Sequence, residues 1–378
     1  MISRFLLAVF LAVLVFFTGV STYLFENSRQ SRVAAAPLKP PAVASPHTFV
    51  LPGTLYLEQG GAIYSLSSGR FHELTPEDGW TQPSLMPDGN LLVVHRRGFY
   101  SDVFELSHFG RVIRALTNNG APRRSYDTGD NHWSFYPRVT SDGRTLFMSY
   151  DSPKGGYEVD MSVWAMPFGG SIRQGVNWTD ALGYTGGDIQ PIPVPGGIIY
   201  TKYLRAPDGS IHSQIWFTNR PTPNSLYYGK PLTTQQADCR EPSVSPDGHY
   251  LAMICTYGQQ VSDLVIAAFS NSSIGGLRTV TQGQMVAQPV WAPDGSGIAY
   301  LAPAFPDAPF QLWFLPSLAY FPPAPSPVPS PTPIPGGPQG TPEPSPSPSP
   351  APPAPVVKPI QITSNLGLDA SSTMAWGN

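Results

Sequence analysis

Residues 243–255, SVSPDGHYLAMIC, place a short turn, SPDG, between two apolar runs. In such a turn proline presets φ, the aspartate side chain bonds its own backbone, and glycine adopts the left-handed conformation. The stretch therefore predicts a β-hairpin. Similar hairpins recur about every fifty residues, a period typical of propellers and solenoids. The strands that enter them, each with a proline near its start, lie in 81–89, 135–143, 189–197, 240–248 and 287–295.

A second marker, an apolar residue followed by threonine, closes each repeat. It occurs six times, at Thr75, Thr117, Thr179, Thr233, Thr281 and Thr363. Only five turns precede these threonines, and the missing innermost strand is predicted at 373–378, TMAWGN, which is similar to QPVWAP at 288–293. Residues 53–57, 62–67 and 71–75 complete that repeat. The sequence thus predicts an all-β, six-bladed β-propeller over 53–378, closed by pairing of its N- and C-terminal strands so that no edge stays free.

Two segments lie outside the blades. Residues 5–25 carry no charge and are long enough to cross a hydrocarbon core of about 30 Å. They predict a transmembrane signal anchor within residues 1–25, followed by a linker at 26–52; a cleaved signal peptide, with its shorter apolar region, is the alternative. Residues 322–355, inserted in the last blade, are proline-rich and predict an extended polyproline arm, either a spacer or a PxxP ligand.

The repeated pattern of a PDG turn, an apolar strand and a closing Leu-Thr resembles the TolB-like β-propellers with WD40-like (PD40) repeats. The resemblance covers almost all of the chain outside the anchor and the proline-rich arm. It implies the propeller fold and, with the anchor, a single-pass protein of the cell membrane whose propeller lies on the extracytoplasmic side. Two departures limit it: VPGG at 194–197 lacks the aspartate, and residues 26–52 are too few for the α/β domain that precedes the propeller in TolB.

Candidate binding residues lie on one face, here named the loop face. It carries the loops between blades and the loops between the second and third strand of each blade. Loops on a rigid scaffold are the usual place for binding. The longest loop between blades is 118–134, and the alternative is a solvated loop that merely carries charges. The expected partner-binding residues are basic or aromatic: Arg96, Arg97, Tyr100, Arg123, Arg124, Tyr126 and Trp133.

A polar ring is predicted where the innermost strands begin, at the mouth of the axial channel. It could hold waters or an ion, or serve blade packing through hydrogen bonds. Its members are Gln82, Tyr136, Gln190, Glu241 and Gln288.

Recognisable catalytic motifs are absent from the sequence. It has no GxSxG nucleophile elbow and no HExxH pair, so no metal ligand set and no cofactor is expected. The turn aspartates occupy equivalent positions around the ring and are interpreted as structural. The net charge of −3 argues against a nucleic-acid partner.

Two cysteines, Cys239 and Cys255, lie at equal distances from Asp247. In simple register they face each other across the hairpin and form a disulfide in an oxidising compartment. A one-residue bulge at the turn would break this register and leave two buried thiols.

The expected function is a monomeric, non-catalytic scaffold that binds a protein, a peptide or an envelope polymer. The main rival is a hydrolase or lyase with a metal in the axial channel. A third interpretation is a structural spacer whose proline-rich arm is the functional end.

Overall fold

The repeats fold into six antiparallel sheets, each formed around one of the sequence-predicted hairpins or, in one case, around both ends of the chain. The structure is a computed structural model that describes residues 49–121, 128–152, 160–222, 225–259, 261–270, 272–317 and 358–378. Within these ranges the only helices are three short 3₁₀ segments, Thr128–Asp130, Ile172–Gln174 and Gln235–Ala237. None of the described segments is a helix that could cross a membrane. The predicted anchor at 5–25 and the proline-rich 322–355 lie outside these ranges.

The first four blades follow the chain from the innermost strand outward. Blade 1 adds β1 (Thr54–Gln59), β2 (Ala62–Ser67) and β3 (Arg70–Glu73) to a C-terminal strand. Blade 2 contains β4 (Trp80–Leu85), β5 (Leu91–Arg96), β6 (Ser101–Leu106) and β7 (Val112–Ala115). Blade 3 contains β8 (Ser134–Val139), β9 (Thr145–Tyr150), β10 (Ser162–Pro167) and β11 (Val176–Asn177). Blade 4 contains β12 (Asp188–Val194), β13 (Gly197–Arg205), β14 (Ile211–Thr218) and β15 (Lys230–Pro231).

The remaining blades complete the ring. Blade 5 contains β16 (Cys239–Val244), β17 (Tyr250–Cys255) and β18 (Asp263–Ser270), with both β19 (Ser273–Ile274) and β20 (Arg278–Thr279) paired to β18. Blade 6 contains β21 (Ala287–Trp291), β22 (Gly297–Pro303), β23 (Phe310–Pro316) and β24 (Ile360–Gln361). The last strand, β25 (Ala375–Gly377), is the innermost strand of blade 1.

Blade 1 joins the two ends of the propeller. Strand β25 pairs antiparallel with β1, and Leu55 lies opposite Trp376. The indole Nε1 of Trp376 also donates to the Pro52 carbonyl at 2.6 Å. Gly53 has φ +67, and a Cβ there would lie 2.1 Å from the Gly377 carbonyl oxygen, so only glycine fits this junction. The pairing leaves neither β1 nor β25 as an isolated strand.

The PDG turns are built by their own side chains. The Oδ1 atoms of Asp88, Asp247 and Asp294 each accept from the backbone N–H two residues later, at 3.0, 3.1 and 2.9 Å. The glycine that follows each aspartate has a positive φ, for example +75 at Gly248. These contacts are internal to the turn, as the structural interpretation of the aspartates requires.

The closing threonines have one shared role. Each is buried, and its Oγ1 accepts a hydrogen bond from a backbone N–H of the third strand in the same blade, over 2.8–3.0 Å. The donors are Ile63, Val103, Val163, Ile215, Leu264 and Leu312. A threonine hydroxyl therefore satisfies a buried donor where the fourth strand ends, which explains why the marker recurs.

Apolar clusters fill all six interfaces between neighbouring blades. At the interface of blades 5 and 6, for example, Ile254 and Leu264 pack with Ile298 and Tyr300. Corresponding clusters lie at the other five interfaces, including that between blades 6 and 1. The core is thus a ring of interfaces that surrounds the axis.

Candidate functional site

The five predicted ring residues share an unusual backbone. Gln82, Tyr136, Gln190, Glu241 and Gln288 all have φ between +50 and +56. Each lies at a register shift between the first and second strand of its blade. A proline follows each of them, and because proline has no N–H it is tolerated at a bulge. The prolines that recur near the start of the innermost strands therefore mark these bulges.

The bulges turn backbone N–H groups toward the preceding blade. The N–H of Tyr136 donates to Gln82 Oε1 at 2.8 Å, and the N–H of Gln288 donates to Glu241 Oε2 at 2.6 Å. The N–H of Gln82 donates to Ser372 Oγ at 2.8 Å. These side chains of the ring thus act as ties between blades.

The ring is interrupted at Gln190. Its buried Oε1 has no hydrogen-bond partner, and the N–H of Glu241 donates instead to Thr201 Oγ1 at 3.3 Å. Burial raises the pKa of Glu241, whereas the bond from Gln288 and the nearby Arg240, with Nε 3.6 Å from Oε1, lower it. Glu241 is therefore held by protein groups on both of its oxygens.

Inside the ring the innermost strands of blades 3 to 6 and the 373–374 segment enclose a cavity of roughly 160 Å³. Its lining combines members of the ring with residues deeper in the channel, among them Arg138, Ile192, Val290 and Met374. Arg138 was not predicted as a site residue. Alignment of the repeats gives the missing signal, because the position two residues after the ring is Ser84, Ile192, Ser243, Val290 and Ala375 in the other blades.

The predicted basic and aromatic surface is described in part. The guanidinium of Arg96 lies 5.9 Å from the centroid of the Trp133 ring, which stacks on Phe135 at 5.7 Å. Arg97 forms an ion pair with Asp78, with Nη1 and Oδ2 3.0 Å apart. Tyr100 packs beside Gly120. The structure brings Arg96 and Trp133 together, whereas Arg123, Arg124 and Tyr126 lie outside the described residues.

The loop face also exposes large apolar side chains that the sequence analysis did not single out. Phe99, Tyr184 and Phe305 are 71%, 69% and 67% exposed. They lie in blade 2, in the connection between blades 3 and 4, and in blade 6. Less exposed members complete the set, named here the apolar crown: Phe99, Tyr184, Ile211, Tyr257, Met285 and Phe305. An apolar residue inside a polar loop, as in RRGFYS at 96–101, is the sequence signal for it.

The opposite face, named the turn face, carries the PDG turns and the loops between third and fourth strands. Among the described residues its loops expose Phe109 and Tyr227, and the exposed Val112 and Val176 begin strands at this face. Both faces thus expose apolar side chains.

A disulfide joins Cys239 and Cys255, whose Cα atoms are 4.1 Å apart. The pairing of the two strands changes register between the turn and the cysteines. Near the turn, Val244 pairs with Leu251 and Ser243 with Ala252, one residue out of the simple register. The bulge at Glu241 restores it, so that Cys239 lies opposite Cys255. The two offsets cancel, and the bulge that ties blades together also aligns the cysteines.

The described residues contain no group of three or more His, Cys, Asp or Glu side chains that could hold a metal ion.

These features define a six-bladed β-propeller with an axial cavity and an apolar crown on one face. Polar side chains at its channel mouth form hydrogen bonds between neighbouring blades. No protein-family profile matches the chain, and no curated protein matches it. Among solved structures it is similar to TolB from Acinetobacter baumannii, with 14% identity and a TM-score of 0.52 over 71% of this chain and 62% of that protein. A likeness at this identity shows the fold.

Two further solved structures match with lower TM-scores. A putative TolB from Agrobacterium tumefaciens has 14% identity and a TM-score of 0.48, over 70% of this chain and 84% of that one. A puromycin-hydrolysing peptidase from Mycobacterium tuberculosis has 16% identity and a TM-score of 0.39, over 74% of this chain and 40% of that one.

Proposed function

We propose that this chain is a membrane-anchored, extracytoplasmic propeller that binds a protein, a peptide or an envelope polymer on its loop face and catalyses no reaction. The observation that carries the proposal is the apolar crown. Large apolar side chains exposed together on one face of a soluble domain mark interaction surfaces. The crown draws on blades 2, 4, 5 and 6 and on two connections between blades.

Beside the crown lies a polar element suited to a partner. Arg96, Trp133 and Phe135 form a short stack of a guanidinium on two rings. Arginine and tryptophan are over-represented among residues that contribute most to binding at protein interfaces. The stack gives the Arg96 guanidinium a preferred position, so less entropy is lost on binding.

The compartment is part of the proposal. The uncharged segment 5–25 supports an anchor, and the disulfide between Cys239 and Cys255 supports an oxidising environment. The TolB-like repeats agree with both. The rival proposal is a metal-dependent hydrolase or lyase with its metal in the axial channel.

Site-specific photo-crosslinking in the host tests the binding face. A benzophenone amino acid replaces Phe99 or Phe305 on the loop face, and Phe109 or Tyr227 on the turn face as matched controls. The four residues are similarly exposed, at 71%, 67%, 78% and 68% in that order. We expect a discrete crosslinked species from the loop-face positions and none from the controls.

Two results would contradict the proposal. Crosslinks confined to the turn-face positions would move the binding surface to that face or to the proline-rich arm. No crosslink from any of the four positions would reject a stably bound macromolecular partner. Proteolysis of intact cells tests the compartment separately, because a propeller on the extracytoplasmic side is cleaved without lysis.

A further inference from the structure

Arg138 is an uncompensated cation in the axial channel. Among the described residues its side chain has no hydrogen-bond or ion-pair partner. Burial alone lowers the pKa of its guanidinium to about 10, so the group remains charged at neutral pH. By accessible surface Arg138 is intermediate in exposure, and it lines the axial cavity, so its guanidinium is available to a ligand there.

The other charges at the cavity do not neutralise Arg138. Glu241 is the only acidic side chain of the lining, and its two oxygens face the Gln288 N–H and Arg240. Arg240 and Glu241 balance each other, which leaves one positive charge over. The remaining lining near Arg138 includes the apolar side chains Ile192, Val290 and Met374.

We propose that the axial cavity binds the carboxylate of a small monoanionic ligand through Arg138. A guanidinium presents a planar pair of N–H donors that matches a carboxylate. A single negative charge balances the local surplus, whereas a dianion would leave a buried negative charge. The cavity volume, roughly 160 Å³, is close to the volume of about 150 Å³ that accepts benzene in an engineered protein core. The ligand class is therefore a monocarboxylate with a small apolar body.

This carboxylate has two sources: a free short-chain acid, or the C-terminus of a chain that reaches the channel from the loop face. The channel mouth opens on the loop face because the innermost strands begin there. The proposal stands whether or not the apolar crown binds a partner. The two sources share the same chemistry at Arg138 and are separated by the choice of probe.

The test measures binding to the full-length chain in detergent, by calorimetry and by thermal unfolding at constant ionic strength. The probes are butyrate, its neutral analogue butyramide, phosphate, and the peptide acetyl-Gly-Val as the free acid and as the C-terminal amide. We expect butyrate or the peptide acid to bind and raise the melting temperature, and butyramide and the peptide amide to have no effect. Binding of butyrate alone identifies a free acid, and tighter binding of the peptide acid identifies a chain terminus.

Two variants make the test specific. Arg138→Gln should weaken binding by roughly 10- to 100-fold, the loss typical of a charged hydrogen bond. Arg138→Met, measured without any carboxylate, should melt near the wild-type temperature, because Arg138 has no hydrogen-bond or ion-pair partner among the described residues. A lower melting temperature for Arg138→Met would assign Arg138 a structural role and overturn the proposal. Equal effects of butyrate and butyramide, or no binding of either acid, would also overturn it.

Discussion

Carboxyl groups on the two faces of the propeller have pKa values that move in opposite directions. Near the loop face, burial and the neighbouring Asp369 raise the pKa of Glu58 to about 7, and burial raises that of Asp188 to about 6. On the turn face, hydrogen bonds from nearby hydroxyl and N–H groups lower the pKa of Asp247 and Asp294. The turn carboxylates stay exposed to water and accept hydrogen bonds, which favours their charged form. Burial of Glu58 and Asp188 disfavours the charged form.

Two residues show that the number of donors matters more than the face. Asp208 belongs to a PDG turn on the loop face, and bonds from Ser210 lower its pKa as in the turn-face aspartates. Asp238 is partly buried, which raises its pKa, yet three bonds from Ser213 and Thr256 bring the net shift below the usual value. The pKa of a carboxyl group near the loop face is therefore raised only where the effect of burial exceeds that of the hydrogen bonds it accepts.

The largest effect is expected at the buried pair of blade 4. Lys202 Nζ lies 3.1 Å from both oxygens of Asp188, and both side chains are almost fully buried. Lys202→Met leaves Asp188 without its cation and should lower the free energy of unfolding by about 3–5 kcal/mol. Urea unfolding at pH 7.5 measures it, with the exposed Lys230→Met as control. A loss below 1 kcal/mol would mean that water compensates Asp188.

A smaller, pH-dependent effect is expected at Glu58. Its pKa is raised in the folded state, so its contribution to stability is complete below about pH 4.5 and is lost as the pH rises through about 7. Glu58→Gln stays neutral and should exceed the wild type in stability by roughly 2–3 kcal/mol at pH 8, with the difference vanishing near pH 4. Thermal unfolding across this range measures it. A constant difference would argue against titration of Glu58.

A smaller effect is expected at the closing threonine of blade 1, where the buried partner is a neutral backbone N–H and not a charged group. Thr75→Val removes the acceptor for the buried N–H of Ile63 at nearly constant volume. We expect the free energy of unfolding to fall by about 1.5 kcal/mol, the cost of an unsatisfied buried donor. Thr75→Ser keeps the hydroxyl and is the matched control. If Thr75→Val keeps the wild-type stability while Thr75→Ser loses it, the methyl contact rather than the hydrogen bond stabilises the strand end.

The smallest effect is expected in a turn. Asp294→Ala removes the acceptor for the Ser296 N–H and should cost about 1 kcal/mol at pH 7. Because the pKa of Asp294 is lowered in the folded state, the difference should shrink as the pH falls through that pKa, the reverse of Glu58. Asp294→Asn retains an acceptor and should keep most of the stability. A difference between Ala and wild type that grows on acidification would contradict the assigned sign.

The fold was predictable because its signals are local and repeated. Each PDG turn closes a hairpin through bonds within a few residues, and each closing threonine serves a strand of its own blade. The ring positions followed from the same alignment, and the disulfide from the spacing of two cysteines. The prediction of the disulfide was incomplete, because it did not include the bulge at Glu241 that aligns the cysteines.

The candidate sites were less predictable because they depend on what faces a side chain across space. Arg138 stands out only once the structure shows that its side chain has no hydrogen-bond or ion-pair partner among the described residues. The ion pair of Arg97, predicted as a partner-binding residue, with Asp78 of the preceding connection is likewise visible only in the structure. The apolar crown required the exposure of each side chain, which periodicity in a loop does not encode.

Closure of blade 1 also orders events during synthesis. Pro52 and Trp376, which are hydrogen-bonded, lie 324 positions apart in the chain, so β1 waits for its inner partner until nearly all of the propeller has been made. Contacts this distant in sequence form late and slow folding. A nascent chain therefore presents an open, unpaired β1 edge, and we expect this stage to be the one at which a chaperone is needed most.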